Sequence, residues 1–473
     1  MRLRKITLRN FRCFDELEVD LHPRLTVLVG DNGAGKTAIL DAIAIGLSPI
    51  LRHLSSADQR LKGVSIRDND FRLVSHTGRS KRQAWTTSDT AQIVVDAAED
   101  LQWDVWRPSI AGREPSRKFG EGKLVEYLAG VKKSIKYDGP ELTPVFAYYG
   151  ARRGYIEIPE RLRSTQESYT HPTSALVGAL EPLSDFKEML KWFDAEEANE
   201  LRANKGLLSD DYTPSKSLEA VRAAIKSVLG GAFHNPHFSR DHKFVVESAG
   251  GGALFQVSQL SQGYQSMLAL ALDFARRLAL GNPQLEYDTP GALERVWAAW
   301  QAIGQPIEDD AVLEHVPEAP SLMAPAVMLI DEVDLHLHPA WQQRVLADLM
   351  RTFPATQFII TTHSPQVLST VRRENIRVLG KDINGRFVAA EPLAKTYGEP
   401  SNVVLQSVMH VDPQPPIAEK PSLQRLTALV DQGAYASDEA LRLMNELTAA
   451  LGQQHPQLLR LQRSIARQES LKR

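Results

Sequence analysis

The chain has 473 residues, 43% of them hydrophobic and 24% charged, the ordinary balance of a globular protein and too long for one compact core. A formal net charge of −3 excludes a globally basic nucleic-acid binder, and a single cysteine, Cys13, excludes an internal disulfide framework or a cysteine-built zinc site. No run reaches the ~18 apolar residues of a membrane helix, and MRLRKITLRNFRCF lacks the apolar core of a signal peptide, so a cytoplasmic protein with no membrane partner is expected.

Residues 1–30 read as strands. Leu3, Ile6 and Leu8 sit among basic residues, Leu17, Val19 and Leu21 alternate with acidic ones, and LTVLVG is a buried strand ending on Gly30. GDNGAGKT at 30–37 stands between that strand and a predicted helix over 37–47, whose Ile39, Leu40, Ile43 and Leu47 share one face. This is the phosphate-binding loop pattern in the context it requires. Glycines at 33 and 35 let backbone N–H groups approach phosphate, and the helix N-terminus adds its partial positive charge. Lys36 reaches the outer phosphates, and the Thr37 hydroxyl is a ligand for Mg²⁺. Gly30, Asn32, Gly33, Ala34, Gly35, Lys36, Thr37 and Ala38 are therefore the candidate nucleotide-binding residues, with ATP and Mg²⁺ as the expected ligands.

Residues 48–90 are polar and irregular, and further strands are predicted at 92–95 and 145–149. Between Arg107 and Arg163 basic residues outnumber acidic ones twelve to seven, a surplus that reads either as a DNA-facing surface or as a solvated face. The pattern turns helical over 160–230, in an insertion too short for a long coiled coil. FHNPHFSRDHKF at 233–244 places His234 and His237 three apart with His242 beyond; it reads as a loop without the acidic ligands of a hydrolytic metal site. Strands are predicted again at 243–247 and 254–257. Residues 283–325 carry eight acids against one arginine, with six prolines, and read as an acidic loop or insertion. AVMLI at 326–330 and QFIIT at 357–361 are buried strands. After the proline cluster in HVDPQPPIAEKP, residues 411–473 form a helical C-terminal region, so the expected ATPase domain is built from 1–159 and 231–410 as two lobes.

The strand AVMLI ends on Asp331 and Glu332. Following a phosphate loop, the first acid is expected to hold Mg²⁺ and the second to polarise the attacking water. LSQGYQ, with Ser261, Gln262 and Gly263, opens a long apolar helix; on its own it reads equally as a helix start with Ser261 merely the N-cap. ITTHSP sets His363 at a strand end, and VDLHLHP directly after Glu332 supplies Asp334.

In this order the five segments look like the ABC-type ATPase motifs: phosphate loop, signature, acidic strand end, D-loop and switch histidine. With Asn10, Arg12 and Phe14 in an N-x-R-x-F pattern, and the run IDEVDLHLHPAWQQRVLADLMRTFPATQFIITTHSPQVL, the chain resembles ATPases related to RecF, SMC and the OLD nucleases. Within that group it is most similar to the PtuA-like ATPases of Septu and retron anti-phage systems. LAKTYGEPSNVVLQSVMHVD and the tail ending HPQLLRLQRSIARQ carry that part of the likeness. The resemblance implies an α/β fold, an ABC-type head with a helical insertion and a helical tail. It also implies a face-to-face dimer in which Ser261, Gln262 and Gly263 cover the nucleotide of the other copy, with Arg12 on the nucleotide and Glu332, His363 and Asp334 as catalytic residues. The implied function is ATP hydrolysis that regulates a separate HNH-type nuclease, PtuB-like in kind. The chain itself lacks the D-x-D of a nuclease unit after His363. A DNA-repair or DNA-tethering ATPase of the RecF type is the alternative.

Overall fold

The computed structural model describes residues 1–151, 171–301 and 319–472, apart from 57–58, 78–82, 99, 111, 138, 183–185, 209–210 and 287–290. Two compact units, Met1–Val404 and Leu405–Arg473, make up the chain.

The first unit begins with antiparallel strands β1 (Leu3–Phe11) and β2 (Phe14–Asp20), followed by β3 (Leu25–Val29) and helix α1 (Lys36–Leu54). A hairpin of β4 (Leu73–Thr77) and β5 (Gln83–Thr87) precedes β6 (Thr90–Ala97), β7 (Gln102–Pro108), helix α2 (Gly122–Tyr137) and β8 (Val145–Tyr149). Strands β2-β1-β6-β7 form one antiparallel sheet. Its inward residues Ile6, Leu8, Ile93 and Val95 share a core with Ile39, Ile43, Leu47 and Leu51 of α1. The Trp103 indole donates to the Gly46 carbonyl at 2.7 Å, and a Cβ at Gly46 would lie 2.6 Å from Val95, so the glycine sets how closely α1 lies on this sheet. The helix runs seven residues past the expected end, through Pro49, because Ile50, Leu51 and Leu54 are buried in the same core. By length and composition α1 could cross a membrane, but its residues are mostly inside this domain.

The second lobe contains α3 (Phe186–Ala203), α4 (Lys216–Val228), the antiparallel strands β9 (Phe233–Phe238), β10 (Phe244–Ser248) and β11 (Leu254–Gln256), and α5 (Gln262–Gly281). FHNPHF is therefore a strand, not the expected loop; its Phe233 and Phe238 rings pack on Phe255, Tyr264, Phe193 and Phe244. The acidic stretch also departs from expectation: Ala292–Gln301 is a helix, α6, with Val296 and Trp300 buried one turn apart. Helix-forming Ala, Leu, Glu and Arg in ALERVWAAWQ outweigh the surrounding prolines. The remainder of that stretch, at 287–290 and 302–318, lies outside the described residues, as do 152–170 of the expected helical insertion.

The chain then enters β12 (Ala326–Ile330), short helix α7 (Pro339–Gln342), α8 (Val345–Thr352), β13 (Thr356–Thr361), α9 (Pro365–Leu368), β14 (Ile376–Lys381), β15 (Phe387–Ala390) and α10 (Ser401–Ser407). The central sheet has the order β15-β14-β3-β13-β12-β8, parallel except for β15. Strands β3, β8, β12 and β13 are buried at every residue, which is why they read as continuous apolar runs.

The second unit packs α11 (Lys420–Asp431), α12 (Asp438–Leu451) and α13 (Pro456–Lys472) around Leu423, Leu426, Val430, Leu443, Leu447, Leu458 and Leu461. The tail's leucines thus cover one another.

Candidate nucleotide site

Strands β3, β13 and β12 lie side by side, and their carboxyl ends carry the phosphate loop, the segment around His363, and the acidic pair. The outer end of neighbouring parallel strands is where open α/β sheets take ligands. Gly33 and Gly35 have φ of +82° and +94°, the left-handed conformation that lets a loop fold back on itself. A Cβ at Gly35 would also fall 2.3 Å from the Phe14 ring, so N-x-R-x-F and the loop are packed together. Helix α1 begins at Lys36 with no side-chain cap and no acid in its first turn, leaving its first N–H groups to an anion. The Lys36 ammonium donates to the carbonyls of Gly30 (2.8 Å) and Asp31 (3.0 Å). Burial pushes its pKa below the ordinary lysine value, opposed by Asp331, Glu332 and Asp31.

The Thr37 hydroxyl donates to Asp331 Oδ2 at 2.9 Å. Asp331 Oδ1 accepts from the Thr361 hydroxyl at 2.6 Å, and that same hydroxyl oxygen accepts the Glu332 backbone N–H at 2.7 Å. Glu332 has φ +50°, an uncommon conformation for a non-glycine residue, at the turn out of β12. One threonine on β13 thus fixes both acids. Asp334 accepts a hydrogen bond from the Thr362 hydroxyl, and Ser364 donates its backbone N–H to Thr362 Oγ1 at 3.0 Å, so both neighbours of His363 are tied down.

Arg12, at φ +51°, pairs with Asp41 Oδ2 at 2.6 Å and Asp70 Oδ1 at 2.8 Å; the Tyr148 hydroxyl donates to Asp41 Oδ1 at 2.9 Å. Burial, then Asp41, pushes the Tyr148 phenol well above its ordinary pKa, so it remains a donor. These groups border a cavity of about 580 Å³ that also takes in Lys62 and Arg67. Asp41 is one turn beyond Thr37 on the same face of α1.

Ser261, Gln262 and Gly263 start α5. Ser261 Oγ accepts from the Tyr264 N–H at 3.5 Å, and Ser261 and Gln262 are exposed. Among the described residues no hydrogen bond joins these three to residues 30–38 of their own chain. The structure therefore brings together Lys36, Thr37, Asp331, Glu332, Asp334 and His363, while Ser261 and Gln262 stay exposed and Gly263 packs against the His336 carbonyl.

Sequence reasoning missed three supports. Thr361 is one; the threonine pair before His363 was its only signal. Asp41 is another. The third is Tyr149, whose carbonyl accepts the Asp331 N–H at 2.8 Å while its hydroxyl donates to Asp273 Oδ2 at 2.9 Å on α5. Asp273 pairs in turn with Arg277 (2.7 Å) and Arg276 (2.9 Å), all three buried. A buried chain of bonds thus runs from the signature helix to the acidic strand end.

Residues 5–229 match a family model described as "AAA domain", and residues 167–369 one described as "AAA domain, putative AbiEii toxin, Type IV TA system". The chain is 27% identical to the "Retron Ec83 probable ATPase" of Escherichia coli, over 98% of this chain and 86% of that one. It is 24% identical to the "Retron Vc95 probable ATPase" of Vibrio cholerae serotype O1 biovar El Tor, over 88% and 80%. A shorter stretch, 26% of this chain and 12% of the relative, is 28% identical to the Septu protein PtuA of Bacillus mycoides (strain KBAB4). The chain is an ATPase with an ABC-type head fold, similar to the retron ATPases along nearly its whole length and to PtuA in part.

Proposed function

We propose that this ATPase is the regulatory subunit of an anti-phage defence complex, in which two copies close face to face around ATP and control a separate HNH-type nuclease. The observation that carries the reading is the meeting of Lys36 and Thr37, Asp331 and Glu332, and the segment around His363 at the ends of three adjacent strands, while the exposed Ser261 and Gln262 make no hydrogen bond to residues 30–38 among the described residues. A site so divided is completed by a second copy. The defence setting is supported by the likeness to retron ATPases over 98% of the chain.

The donor set suits Mg²⁺, since the Thr37 hydroxyl and the Asp331 carboxylate are oxygen ligands 2.9 Å apart. When bound, the ion supplies charge neutralisation at the phosphates. The loop amides and the N-terminus of α1 would bind the phosphate chain, and Lys36 would swing from the Gly30 and Asp31 carbonyls to the outer phosphates. Arg12 and the cavity beside it are assigned to the nucleoside end. Glu332, held by its own N–H on Thr361, would orient water and take its proton. Ser261 and the N–H groups at the start of α5 would place donors on the opposite side of the γ-phosphate, supplied by the second copy.

The reading is tested by expressing the Glu332→Gln chain, tagged, from its own operon. An associated nuclease and a doubled ATPase mass in ATP are expected. Failure to recover a nuclease, together with unchanged phage plating for Lys36→Ala, would overturn it.

A further inference from the structure

The second unit carries a feature that the ATP site does not use. Six of its basic residues fall into two groups of three. Lys420 pairs with Asp412 at 2.6 Å, Arg425 with Glu439 at 2.7 Å, and Arg442 with Glu446 at 3.6 Å. Arg460, Arg463 and Arg467 of α13 are exposed and, among the described residues, have no ion pair.

These three lie on one stripe. At about 100° per residue, Arg460, Arg463 and Arg467 fall within an arc of about 60°. The core-facing residues Leu458, Leu461 and Ile465 lie on the other side of the helix, and the Gln468 amide fixes that side by donating to the Val430 carbonyl at 2.9 Å. Glu469, the only acid in α13, is about half a turn away from the stripe. At a rise of about 1.5 Å per residue, the three guanidinium groups extend along about 10 Å.

We infer that this face of α13 binds the sugar–phosphate backbone of nucleic acid. Three cations in line, with no ion pair among the described residues, repel one another at these spacings and oppose the helix that carries them. A polyanion with one negative charge per about 1.7 Å of duplex axis relieves that repulsion along the whole stripe. Guanidinium is also the side chain best matched to phosphate, through paired N–H donors. Bound this way, the unit reads charge rather than base sequence, and its affinity is set by released counterions.

The test uses the full chain with a fluorescent 20-base-pair duplex and a single strand of equal length, titrated between 50 and 200 mM salt. A triple variant, Arg460→Gln with Arg463→Gln and Arg467→Gln, is compared with a control, Arg425→Gln with Arg442→Gln, that removes paired arginines of the same unit. All of these positions point away from the unit's core, and a circular-dichroism melt of each variant verifies folding. For duplex, the triple variant is expected to lower the slope of log affinity against log salt by about 3, since each neutralised phosphate contributes ~0.9. The control keeps the wild-type slope, and ATPase activity without nucleic acid is the same in all three. Equal slopes in the wild type and the triple variant, or an equal loss in the control, would each overturn the inference.

Discussion

Thr37, in the first turn of α1, and Asp331, just past β12, are hydrogen-bonded at 2.9 Å although β3, the strand that leads to α1, and β12 are not neighbours. Strand β13 runs between them and places Thr361 beneath the pair, bonded to the other oxygen of the same carboxylate. The glycine-rich loop and the acidic strand end are thus joined over the end of a third strand.

Replacing Glu332 by Gln and Lys36 by Ala should separate hydrolysis from binding. The amide keeps the size of the acid but cannot take a proton, so turnover should fall by ~10²–10⁴-fold with ATP affinity retained. Loss of the Lys36 ammonium should weaken ATP binding itself. Nucleotide affinity and steady-state hydrolysis are measured for both; near-normal turnover in Glu332→Gln would remove it as the base.

Thr361→Val keeps shape and deletes the hydroxyl that holds both acids. Leaving the Glu332 N–H unsatisfied costs ~1–3 kcal/mol if all of it is felt in the transition state, so kcat should drop about tenfold or more. KM for ATP should hardly change, and Thr361→Ser should recover most of the rate. A large rise in KM with kcat intact would instead place Thr361 in ground-state binding.

A Lys36→Ala chain mixed with a Ser261→Arg chain tests the shared site. Each is inactive alone, yet a mixed pair contains one site with neither defect. If the two sites turn over independently, partial recovery of ATPase activity is expected on mixing. If mixed pairs form, as seen by native mass, and no activity returns, sites that turn over independently are excluded.

Asp273→Asn should cost about 3–5 kcal/mol in chemical denaturation, because it leaves Arg276 and Arg277 buried without their carboxylate. Burial alone would raise the Asp273 pKa, but the two arginines outweigh it and hold it below the ordinary value. A depressed folded pKa stabilises the protein fully above the ordinary carboxylate value, and the stabilisation is lost as pH falls through the folded value. Acid titration of wild type should therefore show a loss at low pH that Asp273→Asn lacks; parallel curves would contradict this.

The chemistry was legible in the sequence where residue type and spacing are both demanded by the ligand, as in residues 30–37, or where buried strands end on acids. Thr361, Tyr149 and Asp41 were not legible, because each acts through a partner distant in sequence, and a hydroxyl or acid in an apolar run has no period of its own. Strand β9 was hidden by its histidines and proline, whose polarity reads as a loop until Phe193, Tyr264 and Phe255 pack on its phenylalanines. Helix α6 was hidden by the acids and prolines around it; its own ten residues favour a helix. Arg12 was singled out in the sequence, but its ion pairs with Asp41 and Asp70, 29 and 58 residues away, were not legible there.

Gly263 has no room for a side chain. A Cβ there would meet the His336 carbonyl at 2.8 Å, and the next residue, Tyr264, sets its ring edge-on to Trp341 at 4.4 Å. The signature turn is therefore wedged against the segment that leads out of Glu332 in the same polypeptide. If two copies pair face to face as proposed, a load on the signature turn would be passed to the loop beside the chain's own Glu332 through this packing. The two nucleotides would then be hydrolysed cooperatively, with the rate rising more steeply than hyperbolically as ATP increases.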